Sequence, residues 1–566
     1  MSGHDDREIT VHQSGRDGQG RPVAHTRLTP RTDDRECAVL CEPDAVIPIV
    51  FLPGIMGTNL RLEDGGKVAW RPPNTDGVVS ILSAIGTLIG FFFRGPATRQ
   101  RLLDPGATEV DDRGPIDTGG SLDREEARRR GWGTLMRSAY HPAMSLLQQE
   151  LNALMENAEL LGEWRDDKLY RRTAADYGEA TGTEALTGDE IRHAARYRFE
   201  VWAGGYNWLQ SNDTSGSELA SYIDKVVLQH YREELGTGVA ERMKVLLVTH
   251  SMGGFVARAL TGIHGSDKVL GSVLGVMPAV GAPATYKRMR SGFEGFANVV
   301  LGRNAAEVTA IMANAPGAME LLPTDEYGQG AGAHDDAWLK LGGAAGGRPW
   351  THALPQSGDP YTEIYQSRDW YGLVPEHNQS LLDPAGLLPD AGEDVFSRSG
   401  GSDPFALFDT RIDDVHAFHD NIRGHYPAPA YAHYGDDSKR KAWAEVHWDG
   451  AALPTDGGPG QHLVLDDNGK ERMRLQVDGA TVRLDIAGPG GNGDETVPAL
   501  SSRAPGLAGV AADFRQGDQG SGAHVDKNAK GKVTKGYEHQ HSYNDPRALW
   551  ATLYGIVKIS QQADWA

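Results

Sequence analysis

Val245-Leu246-Leu247-Val248-Thr249-His250-Ser251-Met252-Gly253-Gly254 decides the fold of this 566-residue chain. Four apolar residues in a row, closed by a threonine, read as a strand buried on both faces, the pattern of a parallel sheet. A stretch of helical periodicity runs from 252 to 263, so the serine falls on a sharp strand-to-helix turn. A serine placed there holds its Oγ clear of the backbone at the carboxyl edge of the sheet. The Met252 N–H, at the helix start, can then donate to an oxyanion. Thr249 stands where G-x-S-x-G has its first glycine, which predicts a slightly wider strand–helix contact. Ser251 is the candidate nucleophile.

Upstream, Val46-Ile47-Pro48-Ile49-Val50-Phe51-Leu52 is a second continuous apolar run, and it stops at Pro53-Gly54. The loop that follows, Pro53-Gly54-Ile55-Met56-Gly57-Thr58-Asn59, has glycines that let the backbone turn its amides toward the serine. Ile55 N–H is the expected second oxyanion donor; an ordinary Gly-rich turn would look the same without Ser251 downstream. Further apolar runs lie at 199–202, 269–277 and 430–434, with amphipathic helical stretches at 217–231 and 546–559 between and after them. Strands alternating with helices predict an α/β doubly wound sheet, and the serine turn makes it an α/β-hydrolase fold.

The spacing is uneven. About 140 residues separate the first strand from the second, and about 150 separate Met277 from Ala430; loops of that length are lids or inserted subdomains. We therefore expect a polar, mobile leader over 1–44 and one hydrolase domain over 45–566. Its insertions fall at about 60–195, 285–425 (a cap) and 436–490 (an antiparallel β excursion). Gly-rich tracts at 328–347 and 506–536 read as flexible loops.

In this fold the acid and the histidine follow the serine in chain order. Gly493-Asp494-Glu495-Thr496-Val497-Pro498 offers Asp494, held by an extended Thr-Val-Pro exit, with Glu495 as its rival. Glu538-His539-Gln540-His541-Ser542-Tyr543 precedes the last helix; His539 is preferred and His541 is the alternative, whereas His524 sits in a Gly-rich tract. His416, His419, His425 and His433 raise the question of a metal, but no H-E-x-x-H or Cys–His spacing accompanies them. The reading assigns no metal site and no cofactor, with Ca²⁺ left open.

Composition narrows the function. A formal net charge of −21 excludes nucleic acid, or an anionic membrane held by bulk electrostatics, as partners. Two cysteines, Cys37 and Cys41, cannot supply a disulfide framework and read as inert thiols. The opening MSGHDDREIT has neither the basic nor the apolar region of a secretory signal, so synthesis as a cytosolic chain is expected, with export by a signal-independent route.

With these motifs in place the chain resembles the lecithin:cholesterol acyltransferase-like and GPI-inositol-deacylase-like lipases. The matching residues are Pro48 to Thr58, Thr249 to Gly254 and Gly493 to Pro498, and Pro316 to Thr324 looks like a cap segment of the same group. The Glu538-His539-Gln540 and Ser542-Tyr543 pairing is similar to bacterial members, among them lipase effectors of type VI secretion. The resemblance implies a Ser–Asp–His triad acting on lipid acyl esters. It also implies membrane phospholipid as substrate, an immunity protein and secretion apparatus as partners, and delivery to the periplasm or membranes of a target cell.

One insertion bears on substrate. Residues 78–93 are uncharged and rich in Ile81, Leu82, Ile85, Leu88, Ile89, Phe91, Phe92 and Phe93, then meet Arg94, Arg99 and Arg101. The stretch is too short to span a bilayer comfortably. It reads as a buried cap helix or as a lid that embeds in lipid, with the arginines meeting phosphates. The expected activity is that of a serine lipase or phospholipase working through an acyl-enzyme. A lipid acyltransferase or a carboxylesterase is the nearer alternative, and a non-catalytic membrane-perturbing protein on a hydrolase scaffold is the one from a different class.

Overall fold

A computed structural model describes residues 45–565 apart from 72–93, 157–158, 166–172, 179–182, 295–301, 330–336, 345–349, 388–402, 456–457, 459, 461 and 518–536. Before residue 45 it describes Pro43 and strand segments at 10–13, 15–16, 22–23 and 37–40. The apolar insertion at 78–93 and His524 therefore lie outside the described residues, as does most of the leader. Within the leader, Thr10–Gln13 pairs in parallel with Cys37–Leu40, which puts Cys37 in a strand.

The core is a six-stranded sheet of β1 (Val46–Leu52), β2 (Arg198–Ala203), β3 (Val245–His250), β4 (Val269–Gly275), β5 (Ala430–Gly435) and β6 (Ala512–Gln516). Their order is β2-β1-β3-β4-β5-β6, and every neighbouring pair is parallel. Every residue of β1 and of β3 is buried, as expected of apolar runs covered on both faces by helices. The flanking helices include α1 (Arg137–Glu150), α2 (Asn212–Tyr222), α3 (Gly253–Gly262), α4 (Pro283–Ser291), α5 (Ala305–Met312), α6 (Pro404–Ile422) and α7 (Pro546–Ser560). Helix α3 packs on β1 and β3 and against α2 and α6, while α7 packs across β3, β4 and β5.

The approach of α3 to the sheet is what demands glycine after the serine. A Cβ on Gly253 would lie 2.7 Å from the carbonyl oxygens of both Leu52 and Pro53. Those are backbone atoms of the loop that follows β1, so no side-chain rotation relieves the clash.

A second six-stranded sheet packs its buried residues into the same hydrophobic core. Its order is His352–Leu354, Leu339–Ala344, Val446–Gly450, Ala480–Ile486, Arg472–Val477, Leu463–Asp467. The hairpin from Arg472 to Ile486 is antiparallel, and Arg472–Val477 alternates exposed and buried residues along its length. Leu339–Ala344, from the cap insertion, pairs in parallel with Val446–Gly450. Cap and β excursion thus share one mixed sheet.

Three expectations are corrected here. The Gly-rich tract 328–347 contains the strand Leu339–Ala344, and the tract 506–536 contains β6, the edge strand of the core. Each is short, and β6 alternates buried with half-buried or exposed positions, so neither shows an apolar run. The third concerns the arginines after the insertion. Arg99 has no exposed surface and sits 3.5 Å from Glu307 of α5, and Arg101 donates to the Ala385 carbonyl. Arg99 is internal and meets no phosphate. No helix among the described residues is long and apolar enough to cross a membrane.

Candidate active site

Ser251 stands between β3 and α3 with φ at +53°, a left-handed conformation that costs a non-glycine residue about 1–2 kcal/mol. Its N–H donates to the Gly275 carbonyl at the end of β4 (2.8 Å), and its own carbonyl accepts from Gly254 (3.0 Å). The neighbouring strand and the first turn of the helix hold the strained residue in place. Thr249, where the glycine of the motif would be, is buried, and its carbonyl accepts from the Tyr543 hydroxyl at 2.7 Å.

Three side chains distant in sequence meet at this turn. His539 Nε2 lies 3.0 Å from Ser251 Oγ, and His539 Nδ1 lies 2.7 Å from Asp494 Oδ2. A carboxylate can only accept, so Nδ1 carries the ring proton and Nε2 is bare, facing the serine hydroxyl as acceptor. The Asp494 side chain is wholly buried, and its Oδ1 accepts from the amides of Val497 (2.7 Å) and Thr496 (3.1 Å). The backbone also links the two loops, because the His539 N–H donates to the Asp494 carbonyl at 3.0 Å. Such a chain of contacts can withdraw the serine proton and stabilise the imidazolium that results.

The rivals are directed elsewhere. His541 is half-exposed and pairs with Glu538 at 3.0 Å, a carboxylate that pushes the imidazole above its usual value. Glu495, at φ +79°, turns its carboxylate to Arg440. Asp494 itself precedes the last core strand, since β6 intervenes before His539.

The four clustered histidines are each engaged with other side chains or with backbone. His419 bonds the Glu320 carbonyl and the Tyr361 hydroxyl, and His416 stacks on the Tyr361 ring at 3.9 Å. His425 meets Thr261, and His433 meets the Tyr537 hydroxyl. Among the described residues no group of histidine, cysteine and acidic side chains gathers as a metal site.

Ile55 lines the cavity at Ser251, and Met252 begins the helix behind it. Among the described residues neither amide donates to a protein acceptor, which leaves both N–H groups free for an oxyanion. The loop carrying Ile55 is braced by a network that sequence reasoning missed. His250 Nε2 faces the His539 carbonyl at 2.9 Å and must therefore be the donor. Burial pushes the His250 ring down to about 3, so it is neutral and its Nδ1 accepts from the Tyr140 hydroxyl at 3.2 Å. That hydroxyl in turn accepts from Gly54 N–H at 3.1 Å. One chain of bonds thus joins the oxyanion loop to the backbone of His539. A Cβ on Gly54 would lie 2.8 Å from His250 Nδ1, so the loop needs glycine to come this close. His250 stands beside the serine in sequence, but nothing local points to Tyr140, 110 positions upstream of it.

Above the serine is a cavity of about 170 Å³, lined mostly by apolar side chains, among them Met56, Pro278, Met312, Leu321 and Val497. Pockets that enclose a drug-sized ligand run to roughly 300–1,000 Å³. This one admits an ester and the first part of an acyl chain. Helices α4 and α5 of the cap form one side of it, through Ala284, Thr285, Arg288 and Met312.

No protein-family model and no curated protein sequence matches the chain. Among solved structures, one described as the crystal structure of a Tle4–Tli4 complex is similar to it, with a TM-score of 0.78 and 43% sequence identity. The similarity covers 92% of this chain and 100% of that one. The α/β-hydrolase fold, the serine turn and this likeness agree: the chain belongs to the Tle4 family of type VI secretion lipase effectors, serine hydrolases of the phospholipase kind.

Proposed function

We propose that Ser251, His539 and Asp494 are the catalytic triad with which this lipase cleaves acyl esters of membrane glycerophospholipids. The observation that carries the assignment is the unbroken Ser251–His539–Asp494 contact chain at the floor of an apolar cavity. His539 takes the proton of Ser251 as its Oγ attacks the ester carbonyl. Ile55 and Met252 N–H groups hold the oxyanion, and Asp494 steadies the imidazolium. His539 then gives the proton to the departing lysolipid oxygen, and water, activated by the same histidine, releases the fatty acid.

The similar protein was solved with Tli4, and we read this chain as having a cognate immunity protein of its own. We read its destination as the membranes or periplasm of a target cell. We also read it as a distant relation of the lecithin:cholesterol acyltransferase-like lipases, on the motifs 48–58, 249–254 and 493–498.

The lid reading of 78–93 draws support from its C-terminal flank. Helix Pro96–Leu102 packs against α5, whose Met312 lines the cavity. The triad assignment is tested by mixing the protein with a p-nitrophenyl ester, quenching in the burst phase and mapping the acyl group by mass spectrometry. The expected adduct is on the peptide carrying Ser251; an adduct elsewhere overturns the assignment.

A further inference from the structure

Arg288 lies on α4 and lines the same cavity as Ser251 and His539. Among the residues that line it, Arg288 is the one lysine or arginine. Its environment is built on one side and open on the other. Nε donates to Glu294 Oε2 at 3.2 Å, and the guanidinium carbon sits 4.8 Å over the Phe293 ring. Glu294 is shared, because Lys287 Nζ donates to its other oxygen at 2.5 Å, and Lys287 also lies 3.1 Å from Glu471. The two terminal amines of Arg288 meet no protein acceptor among the described residues.

The side chain is 19% exposed and its terminal amines stay accessible, so an arginine of the cavity wall keeps donors that no protein acceptor among the described residues fills. Stacking on one face and a carboxylate on the Nε edge fix the plane of the fork. A tetrahedral anion with two free oxygens fits the remaining edge in bidentate fashion, which a lysine could not match. In a glycerophospholipid that group is the phosphodiester, joined through the glycerol to the ester at Ser251.

We infer that Arg288 binds the headgroup phosphodiester of the lipid and makes this site selective for phospholipids over neutral glycerides. The inference rests on the lipid-esterase reading above and deepens it. Glu294 opposes anion binding electrostatically, but it occupies only the Nε edge and shares Lys287 with Glu471.

The test uses the full chain on mixed micelles of detergent with either dioleoyl phosphatidylglycerol or dioleoylglycerol, which carry the same acyl ester with and without a phosphate. The readout is the ratio of kcat/KM for the two. In Arg288→Gln that ratio should fall about ten- to a hundredfold, the scale of one lost hydrogen bond to a charged group. Arg288→Lys, which keeps the charge and loses the fork, should recover part of it. A ratio equal to wild type in both variants overturns the inference. So does a site for free phosphate, seen as inhibition of short-chain ester hydrolysis by inorganic phosphate that Arg288→Gln removes while the lipid ratio stays unchanged. Wild-type protein that releases fatty acid from neither lipid would defeat the lipid-esterase reading itself, a result distinct from either of these.

Discussion

Asp494→Asn separates the role of the acid from its contribution to folding. The wild-type carboxylate accepts two backbone N–H groups on Oδ1 and the His539 Nδ1–H on Oδ2. An asparagine must place its amide oxygen at the Oδ1 position. The opposite flip would aim an NH₂ at two buried donors and leave them unpaired, at about 1–3 kcal/mol each. The NH₂ therefore faces His539, whose Nδ1 becomes an acceptor and whose ring proton moves to Nε2. That atom lies 3.0 Å from Ser251 Oγ, and once protonated it cannot take the serine proton. Loss of the correct tautomer at such a triad lowers kcat by about 10⁴, or about 5 kcal/mol. The shape of the side chain is kept, so KM and cooperative unfolding should change little. The assay is p-nitrophenol release from a short-chain ester with purified protein, alongside a thermal melt. A loss in kcat of less than about tenfold, with the melt intact, would refute the reasoning.

Three further outcomes are expected. His539→Ala should abolish ester hydrolysis, whereas His541→Ala, which breaks only the pair with Glu538, should keep it near wild type; the two kcat values decide between the histidines. Glu320 is buried beneath Ser211 and Asn212, and burial pushes its carboxyl up to about 7 from 4.5. The folded chain then holds a proton that the unfolded chain releases, so this group lowers stability as pH rises from about 4.5 to about 7. Glu320→Gln removes that slope, and urea titrations at pH 5 and 8 should show the variant gaining up to about 3 kcal/mol relative to wild type between them; parallel changes would contradict it. Deleting residues 78–93 should reduce hydrolysis of phospholipid vesicles more than that of a soluble short-chain ester, and equal losses would sink the lid reading.

How much of this was legible depends on how local the physics is. The two buried strands that carry the site, β1 and β3, declare themselves because a strand covered on both faces must be apolar throughout. The serine turn is equally local, since the strained residue and the glycine that lets α3 approach Leu52 and Pro53 are three positions or fewer apart. That Asp494 and His539 meet at the serine turn is in keeping with chain order and with the rigid exit after the acid. Strand β6 was not legible, because an edge strand with alternating burial inside a Gly-rich tract carries no apolar run. The strand at 339–344 was hidden in the same way. Arg99 looked like a surface cation because sequence shows its charge but not Glu307, some 200 residues away, which pairs with it. The Tyr140–His250 brace is the clearest loss: each residue reads as ordinary, and only folding sets the hydroxyl between Gly54 and the imidazole.

Ser251 is proposed as the nucleophile of a phospholipid-cleaving site. The most direct test is fatty acid release from phospholipid vesicles, quantified by mass spectrometry for wild type and Ser251→Ala at equal concentration. Alanine keeps the size of the site and removes only Oγ, so a melt beside the assay shows that the fold survives. The account predicts release by wild type together with lysolipid, and release by the variant indistinguishable from vesicles without protein. Continued hydrolysis by Ser251→Ala would contradict it.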